Sequence, residues 1–113
     1  YLADKAKAAE NKARRKAENL GLLPADYDKT HCLIYYEKAA TMTKQTGTPH
    51  EVDHIIPMND TQKGYHCHEN LIVMSKQLNQ KKGTKSLTEF AGSQKANDIL
   101  SAITYGSSVG ETL

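Results

Sequence analysis

The sequence is short of cysteine, of long apolar runs and of excess charge, and each shortage narrows what it can encode. Cys32 and Cys67 are its only cysteines; they form no CxxC pair, and nothing resembles a signal peptide. A disulfide framework is therefore not expected, and a reducing, cytoplasmic setting is. No apolar stretch approaches the roughly 20 residues that a membrane span needs, so no membrane partner is expected. The formal net charge is only +2, so any basic footprint for a nucleic acid has to come from local clustering. There is no internal repeat. The chain opens at Tyr1 and not at methionine, which leads us to expect a fragment or a processed form. What is present is 113 residues with 38% hydrophobic content, enough for one small core with an appendage.

The appendage is expected at residues 1–23. From Leu2 to Leu20 the chain is rich in Ala, Lys, Arg and Glu, all good helix formers, and Gly21 and Pro24 supply a stop. The apolar positions of this helix are mostly alanine, too small to anchor much core. Lys12, Arg14, Arg15 and Lys16 crowd its second half, so it reads either as a solvated or partner-packed helix or as an arm contacting the backbone of DNA. A second helix should start near Asp26 or Asp28 and end before Gly47 and Pro49. Its positions His31, Ile34, Tyr35, Ala39 and Met42 recur at three- and four-residue steps and are expected to form its buried face.

A different texture follows. Residues 51–56 are short and β-branched, 59–64 are turn-like, and 71–74 form a second apolar run, so two strands joined by a long loop are expected. Ser75 can cap a helix running to Lys82, closed by Gly83. After a second capping position at Ser93, the residues Ala96, Ile99, Leu100 and Ile103 predict a last amphipathic helix ending at Gly106, with a frayed tail over 107–113.

The polar residues of the central segment carry the chemistry. Asp53 and His54 sit side by side in VDHIIP, so on a regular strand they point to opposite faces unless a local bend brings them together. Asn79 and Lys82 stand at i and i+3 and share one helix face. In the order VDHIIP, GYHCHENLIVM, LNQKKGTK, the segment resembles the HNH endonuclease motif, and the preceding IYYEKAATMTKQTGTPH resembles the lead-in helix of phage-encoded HNH proteins. The similarity covers roughly residues 33–85. It implies an α+β fold with a small ββα-metal core, a β-hairpin plus helix over about 50–85, inside a domain of 24–106 with flanking helices.

The resemblance also implies roles. The three signature positions fall on His54, Asn70 and Asn79, with Asp53 at the metal-ligand position just before the base. A neutral imidazole can take a proton from water near neutral pH, which makes His54 the expected general base. Asp53 and Asn79 are hard oxygen donors suited to Mg²⁺ or Mn²⁺. Asn70 would fix the base-bearing loop, and Lys82 would place its charge against a phosphate. His50 and His66 are expected to line the cleft or support the hairpin, and His68 to approach phosphate. A structural Zn²⁺ site from His66, Cys67 and His68 with His31 and Cys32 is not expected, because the spacing is irregular. The activity implied is cleavage or nicking of DNA, with the double-stranded form as the expected partner, in a host cytoplasm. The alternatives are a non-catalytic nucleic-acid-binding module of the same shape and an RNA-cleaving toxin.

Overall fold

The structure is a computed structural model that describes residues 2–92. The helix expected around Ala96 and the tail over 107–113 lie outside the described residues. The first helix, α1, spans Leu2–Leu20, and Gly21, with φ of 71°, turns the chain out of it. Ala6, Glu10 and Ala17 are buried along one stripe of α1, with Ala13 partly buried between them. Alanine on this stripe lets α1 lie close against α2, so the small residues expected to anchor little serve as a close-approach surface.

Helix α2 spans Lys29–Thr46, with Asp28 as its N-cap and Gly47, at φ of 74°, as its C-cap. The Asp28 carboxylate accepts from the backbone N–H of His31 at 3.1 Å, which satisfies one of the orphan donors of the first turn. Its buried face is Cys32, Tyr36 and Ala39; of the expected row, Ala39 is buried, Tyr35 and Met42 are half-buried, and His31 and Ile34 turn outward. His31 is exposed, and Ile34 is 40% exposed. The physical reason is that residues 32–36 are all apolar, so periodicity alone cannot say which of them faces inward.

Strand β1 (His50–His54) pairs antiparallel with β2 (Leu71–Ser75). The register opposes Val52 to Val73, Asp53 to Ile72 and His54 to Leu71. Residues opposite one another share a face, so His50, Val52, His54, Leu71 and Val73 turn one way while Glu51, Asp53, Ile72 and Met74 turn the other. The first face meets α1 and α2 through Ala6, Cys32, Tyr36 and Leu71. The second meets α3 (Lys76–Lys82), capped by Ser75, and α4 (Leu87–Ala91), with Ile72, Met74, Leu87 and Phe90 as its apolar core. Helix α4 is an addition to the expected elements. Its signal is the capping box of Ser86 and Glu89, in which each side chain bonds the other's backbone N–H. The chain is thus an α+β fold in which a two-stranded antiparallel sheet and the helix after it form a ββα-like unit.

The loop between the strands is shaped by two close approaches. Asn70, in a single 3₁₀ turn over His68–Asn70, accepts from the N–H of Ile56 at 2.9 Å and donates to the carbonyls of Ile56 at 2.9 Å and Tyr65 at 2.8 Å. Gly64 passes so near Ile56 that a Cβ on it would lie 1.8 Å from the Ile56 carbonyl oxygen. Neither backbone can give way without opening the Asn70 clasp. Gly64→Ala is therefore expected to destabilise the fold by about 3 kcal/mol, toward the upper end of overpacking costs. A thermal melt checks this, and an alanine variant melting with the parent would contradict the loop path.

Candidate functional site

Strand β1 presents two different chemistries on its two faces, because adjacent residues alternate. On the α3 side stand Glu51 and Asp53. Lys82, on the last turn of α3, donates to Asp53 Oδ2 at 2.6 Å and to the His54 carbonyl at 3.1 Å. Its side chain is fully buried, while that of Asp53 is 23% exposed. The sequence places Lys82 against a phosphate; the structure instead folds it inward, because the carboxylate that β1 turns toward α3 is the nearest partner for its charge. One turn earlier, Asn79 donates to Glu51 Oε1 at 2.8 Å. Asp53, Asn79 and Lys82 therefore share this face, together with Glu51, which sequence reasoning missed although its i, i+2 spacing to Asp53 is a visible signal.

The side chains of this face carry hard oxygen donors, with Asp53 engaged by Lys82 and Glu51 by Asn79. Asp53 and Glu51 offer carboxylate oxygens and Asn79 an amide oxygen, the ligand types that Mg²⁺ and Mn²⁺ prefer. The Lys82 ammonium supplies the positive charge that Asp53 requires, so a cation held by Asp53 and Asn79 would take over that electrostatic role.

The opposite face carries His54. Its ring is 9% exposed, and its Nε2 lies 2.9 Å from His66 Nδ1. His66 is completely buried, and its Nε2 lies 2.9 Å from Glu10 Oε2 on α1, which also accepts from the Tyr27 hydroxyl. Of the two expectations for His66, lining the cleft or supporting the hairpin, this burial speaks against the first. A carboxylate can only accept, so His66 Nε2 carries the hydrogen toward Glu10; His66 Nδ1 then accepts from His54 Nε2, leaving the lone pair of His54 on Nδ1. Burial first, then the neighbouring His66, Lys16 and Lys82, lower the His54 pKa to about 3. The ring is neutral at neutral pH.

Above this face lies a groove of about 680 Å³, lined by Lys5, Lys12 and Lys16 from α1, Lys44 from α2, and His50 and His54 from β1. Lys5, Lys12 and Lys16 stand on one side of α1 because their steps are near whole turns. The expected basic cluster is divided by the helix. Lys12 and Lys16 face the groove, whereas Arg14 is paired with Glu18 and Arg15 is exposed outside the groove lining. His50 is half-buried at the rim, its Nδ1 2.7 Å from the Thr48 carbonyl. His68 stacks on His31 with ring centroids 3.8 Å apart and lies outside the groove lining.

Two further residues missed by sequence reasoning, Glu10 and Tyr27, act across 56 and 17 positions of chain, and no local pattern marks them. No helix among the described residues is long and apolar enough to cross a membrane. No protein-family model matches the chain. No curated protein and no solved structure matches it either.

Proposed function

We propose that the chain is a metal-dependent endonuclease of the HNH type that cleaves or nicks DNA, with His54 as the base that activates water. The observation that carries the reading is a lysine-lined groove that includes His54, on the strand whose other face turns Glu51 to Asn79 and Asp53 to Lys82. Phosphodiester cleavage needs an activated water, counter-charge for the transition state and help for the departing oxygen. Lys12, Lys16 and Lys44 hold the backbone in the groove. A phosphate there offsets the Lys16 charge and moves the His54 pKa upward, against the larger lowering that burial imposes. The Asn70 clasp fixes the loop leaving β1, so the ring keeps its place. On the other face of β1, away from the groove, Asp53 and Asn79 with Glu51 beside them would hold a divalent cation, which would supply positive charge to a phosphate that reaches that face.

The test is nicking of supercoiled DNA by the purified chain, with RNA in parallel, in Mg²⁺, Mn²⁺ and EDTA. Metal-dependent nicking that EDTA stops is the expected result. A second reading, a nucleic-acid-binding module without turnover, is favoured by the Lys82 ammonium seated on Asp53 and by the burial of His54. DNA binding without nicking in any metal would select it.

The groove gives a separate expectation. Changing Lys12 and Lys16 together to glutamine should weaken DNA binding about equally for all sequences and make the slope of log affinity against log salt shallower by about 2, near 0.9 for each phosphate that is no longer neutralised. Changing Arg14 and Arg15 should do less, since Arg14 is already engaged by Glu18. Equal effects from the two pairs, measured by salt-dependent fluorescence anisotropy, would remove the groove as the binding surface.

A further inference from the structure

A second cluster of ligand-type side chains lies beneath the groove, away from the oxygen donors of Asp53 and Asn79. Glu10 of α1, Cys32 of α2 and His66 of the inter-strand loop each offer one ligand atom, and these atoms all lie within 4.8 Å of one another. All three residues are completely buried. Two bonds converge on Glu10 Oε2, from Tyr27 and His66, but Glu10 Oε1 is buried with no hydrogen-bond partner. An orphaned carboxylate oxygen in a dry interior is costly unless a cation or a donor meets it. The geometry points to a binding site for a zinc-class divalent cation formed by Glu10, Cys32 and His66, joining α1, α2 and the loop.

The donor set selects the metal. A thiolate, an imidazole and one carboxylate suit Zn²⁺ and its analogue Co²⁺, whereas Mg²⁺ wants oxygen and water. Tetrahedral bonds of about 2.0–2.3 Å put ligand atoms roughly 3.3–3.8 Å apart, a contraction within reach of side-chain torsions. Charge balance favours the same ion. As the metal–sulfur bond forms, the Cys32 thiol releases its proton to solvent, and the thiolate and carboxylate together neutralise the dication, so no net charge is buried. Without metal, burial and the nearby Glu10 carboxylate push the Cys32 thiol up to about 12, a mutual repulsion that a dication between the two groups removes. With Nε2 on the metal, His66 would carry its ring hydrogen on Nδ1 and donate it to His54 Nε2, while Tyr27 donates to Glu10; these are the outer hydrogen bonds that orient ligands at such sites.

This site stands independently of DNA cleavage, and its test uses no cleavage assay. The purified chain, stripped with a chelator, is titrated with Co²⁺ and then Zn²⁺. One equivalent of Co²⁺ should give a thiolate-to-cobalt charge-transfer band that Zn²⁺ abolishes, and saturating Zn²⁺ should raise Tm by roughly 5 °C while Mg²⁺ leaves the band unchanged. Cys32→Ala should lose the band and Cys67→Ala should keep it. Glu10→Gln should weaken Co²⁺ binding at least tenfold. Absence of the band in the parent chain, or its persistence in Cys32→Ala, overturns the proposal. The parent titration decides the question even where a variant does not fold.

Discussion

Replacing His54 by alanine is expected to lower DNA nicking by roughly two to four orders of magnitude, the usual share of general base catalysis. DNA affinity should stay near that of the parent, because the groove lysines remain. The alanine also strands His66 Nδ1, which bonds His54 Nε2 at 2.9 Å, so it should cost about 1–3 kcal/mol of stability through an unmade buried hydrogen bond. His54→Gln separates the two effects. Its amide can still donate to His66 but has no basic lone pair, so it should melt closer to the parent and nick as poorly as the alanine variant. Single-turnover nicking beside a thermal melt reads both. A glutamine variant that nicks at the parent rate would show that His54 is structural and that the mechanism given above is wrong.

The second large effect is expected at Asp53. Asp53→Ala should abolish metal-dependent nicking and also destabilise the fold by about 3 kcal/mol, because the fully buried Lys82 ammonium keeps only the His54 carbonyl as partner. Removing the lysine as well should recover most of that stability: Asp53→Ala with Lys82→Met leaves no unpaired buried charge. Cleavage should not return with it. Chemical denaturation and nicking of the two single variants and the double variant form a cycle that isolates the pair. Two independent, additive stability losses would show that the ion pair contributes nothing, and full Mg²⁺-dependent nicking by Asp53→Ala would remove Asp53 from the proposed ligands.

The helix limits are legible in the sequence because caps are local. Gly21 closes α1, Asp28 and Gly47 bound α2, and Ser75 and Gly83 bound α3, each signalled within a few residues of the chain. The orientation of α2 is not legible, since five consecutive apolar residues leave the inward face to be chosen by what α1 and the sheet offer. The serine and glutamate that start α4 satisfy the capping-box rule, but so short a helix carries too little periodicity to draw attention to them. At the site, the alternation that separates Asp53 from His54 is visible from strand geometry alone. Where Lys82 turns is not, because a lysine three residues past an asparagine reads as exposed until a carboxylate on a distant strand claims it. The pairing of Glu10 with His66 is likewise a product of tertiary packing, with no periodicity behind it.

That last pairing bears on the order in which the molecule assembles. Helices α1 and α2 are neighbours in sequence and can meet early as a helical hairpin, since their contacts are local. Yet the stripe by which α1 docks contains a glutamate that is tolerable in the interior only once its partners have arrived. Tyr27 lies in the connection between the helices and is at hand at once. His66 lies in the loop between β1 and β2, which Asn70 closes. Glu10 therefore has both of its partners only when the hairpin and the first helix are docked together, which couples the stability of the one to that of the other.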